Sequence, residues 1–216
     1  MIYIVDICDT LYYSNTTYDF VSFFLKERNR NRYRLFRLIC SRKSPVFYLL
    51  IILAVISRQD IHKKLILHLL KGFDRKAIYE STLLFYSDYL KGREIKPVHM
   101  MLQEAREAGI EICLVSATID PVAQVIAGEL NVGYLSSVLK YTDGICQGYL
   151  QKDLAGIKEN AVREKYAGKQ LTVITDNYSD YILVQNAHKS FVVIHNQKEE
   201  KKWKKLNPTL LHPDRL

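Results

Sequence analysis

Several things are scarce in these 216 residues, and each scarcity closes off a class of protein. There are only four cysteines, Cys8, Cys40, Cys113 and Cys146. They are far apart, with no C-x-x-C pair and no zinc-ligand spacing. A disulfide framework and a structural zinc site are therefore excluded, and a reduced, cytoplasmic chain is the expectation. No apolar stretch reaches the roughly 20 residues needed to span a bilayer. The longest apolar run is "VFYLLIILAVI", residues 46–56, which carries no charge. No signal peptide is visible, since the first apolar stretch, "IYIV", ends in an acid. Internal repeats and low-complexity linkers are absent as well. His62 and His68 lie six apart and suit no shared metal site. Acid is in short supply: 31 Lys and Arg face 23 Asp and Glu, leaving a net charge of +8. That balance favours anionic partners.

What is present is an ordered pattern of strands and helices. "IYIV" at residues 2–5 has the β-branched and aromatic content of a short buried strand. From about Asp19 to Lys91 the periodicity is helical. Pro45 marks a helix start there and Gly72 a stop. After Pro97, helices and strands alternate: "VHMMLQEAREAG", "IEICLVS", "DPVAQVIAGELN", "QLTVITD", "SDYILVQNA", "FVVIH". Asp120 is expected to cap the third of these, with Pro121 at its first helical position. A hairpin is expected between Gly133 and Leu150, turning at "TDG". Strands alternating with helices imply a mainly parallel sheet. The expected fold class is α/β: a Rossmann-like three-layer core from residues 1–15 and 96–216, with residues 16–95 inserted as an all-helical cap.

Four short stretches fall where parallel strands should end, the place where open α/β sheets bind ligands. They are "DICDT" after the first strand, "SAT" at 116–118, Lys158 at the start of "KENAVREK", and "TDNYSD" at 175–180. Any one acid here reads as a turn or cap carboxylate. Together they put carboxylates, hydroxyls and an ammonium on one rim. Phosphoryl transfer uses that mixture: a nucleophile in line, a cation against developing charge, and donors for the equatorial oxygens. On chemistry alone, Asp6 could attack phosphorus, and Asp6 and Asp176 could hold Mg²⁺, a hard ion that prefers oxygen. Thr10, Ser116 and Lys158 could hold phosphoryl oxygens.

These motifs, in this order, resemble those of the haloacid dehalogenase-like hydrolase superfamily, in its phosphoserine-phosphatase-like branch with a helical cap after the first strand. "DICDTL", "VSAT", Lys158 and "TDNYSD" correspond to that family's four motifs, and nearly the whole chain is covered. The resemblance implies a Mg²⁺-dependent phosphomonoester hydrolase working through an aspartyl-phosphate. It implies Asp6 as nucleophile, and Mg²⁺ held by Asp6, the backbone carbonyl of Cys8 and Asp176. Asp180 becomes a further ligand or a supporting acid. Ser116, Ala117 and Lys158 become the phosphate-binding set, with Lys152 as a weaker candidate for the lysine. The chain departs from the family at one point: Cys8 stands where the second acid of the first motif belongs, and Asp9 is displaced from it by one residue. For Asp9 a turn or cap role is therefore weighed against that of substitute acid. The branch's cap glutamate has only Asp19 as a counterpart. A catalytically impaired relative that binds a phosphorylated ligand or a membrane surface is the alternative function.

Residues 26–43 carry eight basic side chains and one acid, Glu27, next to the apolar run 46–56. The first reading is a buried cap helix beside a solvated basic face. The second is peripheral contact with anionic lipid at the inner face of the membrane, with "KKWKK" (201–205) as a further anchor. The expected partner is a phosphorylated small molecule or a lipid phosphate. Nucleic acid is disfavoured, because no recognition motif accompanies the arginines.

Overall fold

The structure, a computed structural model, describes residues 1–57 and 60–213. It is built on one seven-stranded sheet. Strand β1 (Ile2–Val5) lies at its centre and pairs in parallel with β2 (Glu111–Ile119) on one side and β5 (Leu171–Thr175) on the other. Beyond β2 lies β3 (Gly133–Thr142), then its antiparallel partner β4 (Ile145–Lys152). Beyond β5 lie β6 (Lys189–Val193) and β7 (Thr209–Leu211), both parallel. The full order is β4-β3-β2-β1-β5-β6-β7. β1 is flanked on both sides, and Ile2, Ile4 and Val5 are all buried. This explains why the strand is a continuous apolar run and not an alternating one.

The expected α/β class and parallel sheet are present. The hairpin is also where the turn chemistry put it: Asp143 and Gly144 both take positive φ (49° and 79°), the geometry of a tight two-residue turn. Asp120 differs by one position. It is the first helical residue of α7 (Asp120–Leu130), and its carboxylate accepts from the Leu139 N–H of β3 at 2.7 Å instead of capping its own helix.

Between β1 and β2 run α1 (Thr16–Arg28), α2 (Arg30–Cys40), α3 (Pro45–Ser57), α4 (Ile61–His68) and α5 (Arg75–Phe85). A π turn (Tyr86–Leu90) and α6 (Lys96–Glu107) complete the crossover. The helical pattern is broken within two stretches, 16–40 and 45–72, each by a side chain that competes for backbone. Asn29, in extended conformation, accepts from Arg32 N–H and starts α2. Asp60 accepts from Lys63 N–H and starts α4. Arg58 and Gln59, within the second stretch, lie outside the described residues. The helical segment is stitched to the β3–β4 hairpin by backbone bonds, Gly72 N–H to Cys146 O and Arg75 N–H to Gly144 O, both 2.8 Å.

Two sequence readings are corrected. Helix α3 is not a buried cap helix: only Leu50 on it is buried, and Ile52, Val55 and Ile56 are 57–74% exposed. "KKWKK" is not a wholly solvated run. Trp203, at the end of α10 (Gln197–Trp203), is 1% exposed and packs on the Tyr178 ring at 5.1 Å between centroids.

Candidate active site

The chain leaves β1 at Asp6, whose N–H still pairs with Ile174 O of β5 at 2.9 Å. The loop then turns back on itself, with Leu11 N–H bonded to Ile7 O at 3.0 Å. Asp6 is 5% exposed. One of its oxygens, Oδ1, accepts from Ile7 N–H at 2.7 Å, and Oδ2 accepts from Lys158 Nζ at 2.7 Å. Lys158 is the first residue of α8 (Lys158–Lys165). It is 6% exposed and reaches Asp180 Oδ2 at 2.8 Å as well. Burial acts to lower the pKa of this ammonium, but the charges of Asp6 and Asp180 outweigh it and raise it. Lys152 lies on β4 and is exposed.

Asp180 Oδ2 also accepts from Thr175 Oγ1 at 2.8 Å, so that oxygen is engaged by Lys158 and the end of β5. Thr10 and Asp176 form a closed pair. The Thr10 hydroxyl donates to Asp176 Oδ1 and accepts from Asp176 N–H, both at 2.9 Å. The Thr10 hydroxyl thus fixes Asp176 in place. Burial and the nearby charge of Asp6 push the Asp176 carboxyl up to about 8.

Asp6 and Lys158 open on a cavity of about 250 Å³, whereas Thr10, Asp176 and Asp180 are not among its lining residues. Asp6, Cys8, Ser116, Ala117 and Lys158 line it, together with Asp60 and Lys63 from α4. Ser116 is 1% exposed, on β2 where the register with β3 shifts between Ser116 and Ile119. Cys8 Sγ lies 3.0 Å from Thr16 Oγ1 and 3.9 Å from Ser116 Oγ. Burial, with the Asp6 charge added, pushes the Cys8 thiol up to about 11. Asp9 is not among the lining residues. It adopts φ 48°, and its carbonyl accepts from His195 Nε2 at 2.6 Å. Asp19 is also off the lining, accepting from Ser14 Oγ at 2.7 Å.

Lys63 was missed in the sequence, since a lysine on an amphipathic helix reads as solvated. It is 8% exposed, and its Nζ donates to Asp153 Oδ1 at 2.8 Å and to Ala117 O at 3.2 Å. His195 was missed too, its partner being 186 residues away.

Among the described residues no group of three or more His, Cys, Asp or Glu side chains is arranged to hold a metal ion. The site still suits a hard cation. Two carboxylates, Asp6 and Asp180, pair with the Lys158 ammonium, and burial first, then the Asp6 charge, raises the third, Asp176, which a bound cation would stabilise in its charged form. The donors of Asp6, Asp176 and Asp180 are carboxylate oxygens, and Mg²⁺ bound by one or two carboxylates keeps several waters.

The family model of haloacid dehalogenase-like hydrolases matches residues 4–184. No curated protein sequence matches the chain. Among solved structures, a protein of unknown function from Bordetella pertussis Tohama I is similar, with a TM-score of 0.79 at 16% identity over 98% of this chain and 97% of that one. A phosphoserine phosphohydrolase-like protein from Francisella tularensis subsp. tularensis SCHU S4 is 18% identical, with a TM-score of 0.61 over 98% and 94%. A phosphoserine phosphatase captured as a phospho-aspartyl intermediate analogue gives 0.59 at 13% identity over 99% and 94%.

Proposed function

The chain belongs to the haloacid dehalogenase-like hydrolases, and from that premise we propose that it is a Mg²⁺-dependent phosphatase whose nucleophile is Asp6. The observation that carries this reading is Lys158, buried between Asp6 and Asp180 at 2.7 and 2.8 Å on the wall of the cavity. A buried ammonium that already neutralises the attacking carboxylate is also placed for the charge of an incoming phosphoryl group.

In this reading an Asp6 oxygen attacks phosphorus, and the bond from phosphorus to the ester oxygen breaks. The leaving alkoxide takes a proton from water, and the hydroxide so formed cleaves the aspartyl-phosphate, releasing phosphate and restoring Asp6. The overall balance is one ester plus one water to one alcohol plus phosphate. Ser116 and the backbone at Ala117 hold phosphoryl oxygens. Thr10 positions Asp176, and Asp180 positions Lys158. Asp6, Asp176 and the Cys8 carbonyl would hold Mg²⁺, which when bound supplies charge neutralisation at the phosphoryl oxygens. Residues 16–95 act as the cap over this rim and bring Lys63 and Asp60 to it. The substrate is a phosphorylated small molecule or a lipid-linked phosphate. The four cysteines are unpaired, which supports a reducing compartment.

One observation favours a second reading, a phosphoester-binding protein with impaired turnover. Cys8 stands where an acid would protonate the leaving group, and a thiol near 11 is a poor acid at neutral pH. Phosphate release with Mg²⁺ over amino-acid, sugar, aryl and lipid phosphates separates the two. Turnover abolished by Asp6→Asn supports the phosphatase, since an amide is no nucleophile. Binding without release of phosphate from any of them supports the second reading.

A further inference from the structure

Helix α3 presents an apolar surface that the fold leaves uncovered. Its only inward stripe is Val46, Phe47, Leu50 and Ala54, at the three- and four-residue spacing of one helix face. Through this stripe it rests on α4, where the Phe47 and His62 rings meet at 5.2 Å. Every other side is exposed: Tyr48, Leu49, Ile51, Ile52, Val55 and Ile56 all face solvent, the last two at 73% and 74%. The helix carries no charge along its 13 residues. An apolar patch of this extent on an otherwise charged protein marks an interaction surface.

The neighbouring helix indicates what covers it. Arg30, Arg34 and Arg37 on α2, with Arg42 and Lys43 in the connection to α3, are exposed, and none has an acidic partner among the described residues. Between these arginines α2 exposes Leu35 and Leu38, each 46%. Arg32 is different. Its guanidinium donates to Leu69 O and Lys71 O at 2.9 and 2.6 Å and lies over the Phe73 ring, tying α2 to the protein. No single helix among the described residues is long and apolar enough to cross a membrane. The α2–α3 pair passes on composition, but it bends by 64°, and one arm of it is pinned by Arg32.

We propose that α3 and the basic face of α2 form a docking surface for an anionic bilayer, with α3 lying in the interface and the free arginines on lipid headgroups. A second copy of the chain is the poorer occupant, because packing α3 against α3 would press two unpaired basic faces together. A bilayer with anionic headgroups satisfies both halves of the surface: hydrocarbon for α3 and negative charge for α2. Vesicle binding is read without turnover, so this surface stands or falls apart from the phosphatase reading.

The experiment is co-sedimentation of the full chain with vesicles of phosphatidylcholine alone or mixed with phosphatidylglycerol. Binding is expected to the mixed vesicles only, falling about tenfold as salt is raised from about 0.1 M to about 1 M, because exposed charges are screened. The double variant Ile52→Asp, Ile56→Asp and the double variant Arg34→Glu, Arg37→Glu should each lose binding while melting as the wild type does. If a variant misfolds, the lipid and salt dependence of the wild type decides alone. Equal binding to both vesicle types, or binding to neither, overturns the assignment. So does a dimer in light scattering that Ile52→Asp splits, which would make a second copy the occupant.

Discussion

At the rim of the sheet Asp6, Lys158 and Asp180 are at most 6% exposed, while on α3 Val55 and Ile56 are 73% and 74% exposed. Charge is inside in one region and hydrocarbon outside in the other. Folding alone favours neither arrangement. Burying the charges carries a desolvation cost that an apolar trio at the same place would not have. The exposed side chains forgo the burial that drives folding, about 25 cal/mol per Å². Elsewhere the chain sorts its residues normally, with an apolar core continuous from β1 through α1 to α7. The two regions also differ in how they are satisfied. Asp6, Lys158, Asp180 and Thr175 complete one another's hydrogen bonds within the protein. Helix α3 has nothing over it. One region is hydrogen-bonded within the fold, and the other presents an apolar face that the fold leaves bare.

That contrast can be broken by substitution. Lys158→Met removes the cation and leaves two buried carboxylates facing each other. It should cost about 3–5 kcal/mol at neutral pH, the price of breaking a buried pair, and abolish turnover. Ile56→Ser should stay within about 0.5 kcal/mol, as exposed positions do. Urea melts of the two variants test the comparison directly. Similar losses in both would mean that α3 is covered in solution or that the rim is wetter than its geometry indicates.

The second effect in size concerns Cys8. An aryl leaving group needs little help from an acid, whereas an alkoxide needs much. Cys8→Asp should raise turnover of alkyl phosphates by up to about 10²–10⁴-fold and of aryl phosphates less. If Cys8→Asp is neutral and Asp9→Asn is impaired at unchanged stability, Asp9 is the working acid despite its place off the cavity lining.

How far the sequence revealed these regions follows from how local each signal is. β1, β2 and β5 were legible because strands buried on both faces are uninterrupted apolar runs. The rim was legible because its motifs end those strands in a fixed order. The breaks at Asn29 and Asp60 were not, since a capping side chain looks like any polar residue on a helix surface. The exposure of α3 was also hidden. An apolar run predicts burial, and only the three-dimensional arrangement shows that α4 covers a single stripe. Lys63 and His195 depend on partners 90 and 186 residues away, which no local pattern encodes.

Gly148 gives a third, smaller effect at the seam between the helical segment and the sheet. It sits on β4 at φ +76°, and an added Cβ would lie 2.8 Å from Lys71 Cβ and 3.0 Å from His68 Cα, just past and at the end of α4. Backbone cannot yield as a side-chain tip can. Gly148→Ala should therefore cost about 1–3 kcal/mol. Gly156→Ala, also at positive φ (74°) but with nothing within 4 Å, should pay only the conformational part. Thermal melts of the pair separate strain from collision.

The smallest effect belongs to the ion pair that joins the two halves, Lys63 with Asp153 at 2.8 Å. Burial acts to raise the Asp153 carboxyl, but the hydrogen bond from Lys63, with those from Ala155 N–H and Ser137, holds it below the usual carboxylate value. A carboxylate depressed by folding contributes stability that is fully present above its unfolded pKa, near 4, and lost as the pH falls through the lower folded value. Asp153→Asn removes that contribution. Because the Asp153 side chain is 45% exposed, solvent screens the pair, and the loss at pH 7 should be about 0.5–1 kcal/mol. The gap between wild type and variant in urea melts should hold from pH 7 to about pH 5 and close below about pH 4. A gap that persists at low pH would assign the loss to the hydrogen bonds of Ser137 and Ala155 and not to the charge on Lys63. The link between α4 and the cavity wall would then be polar packing with no ionic component.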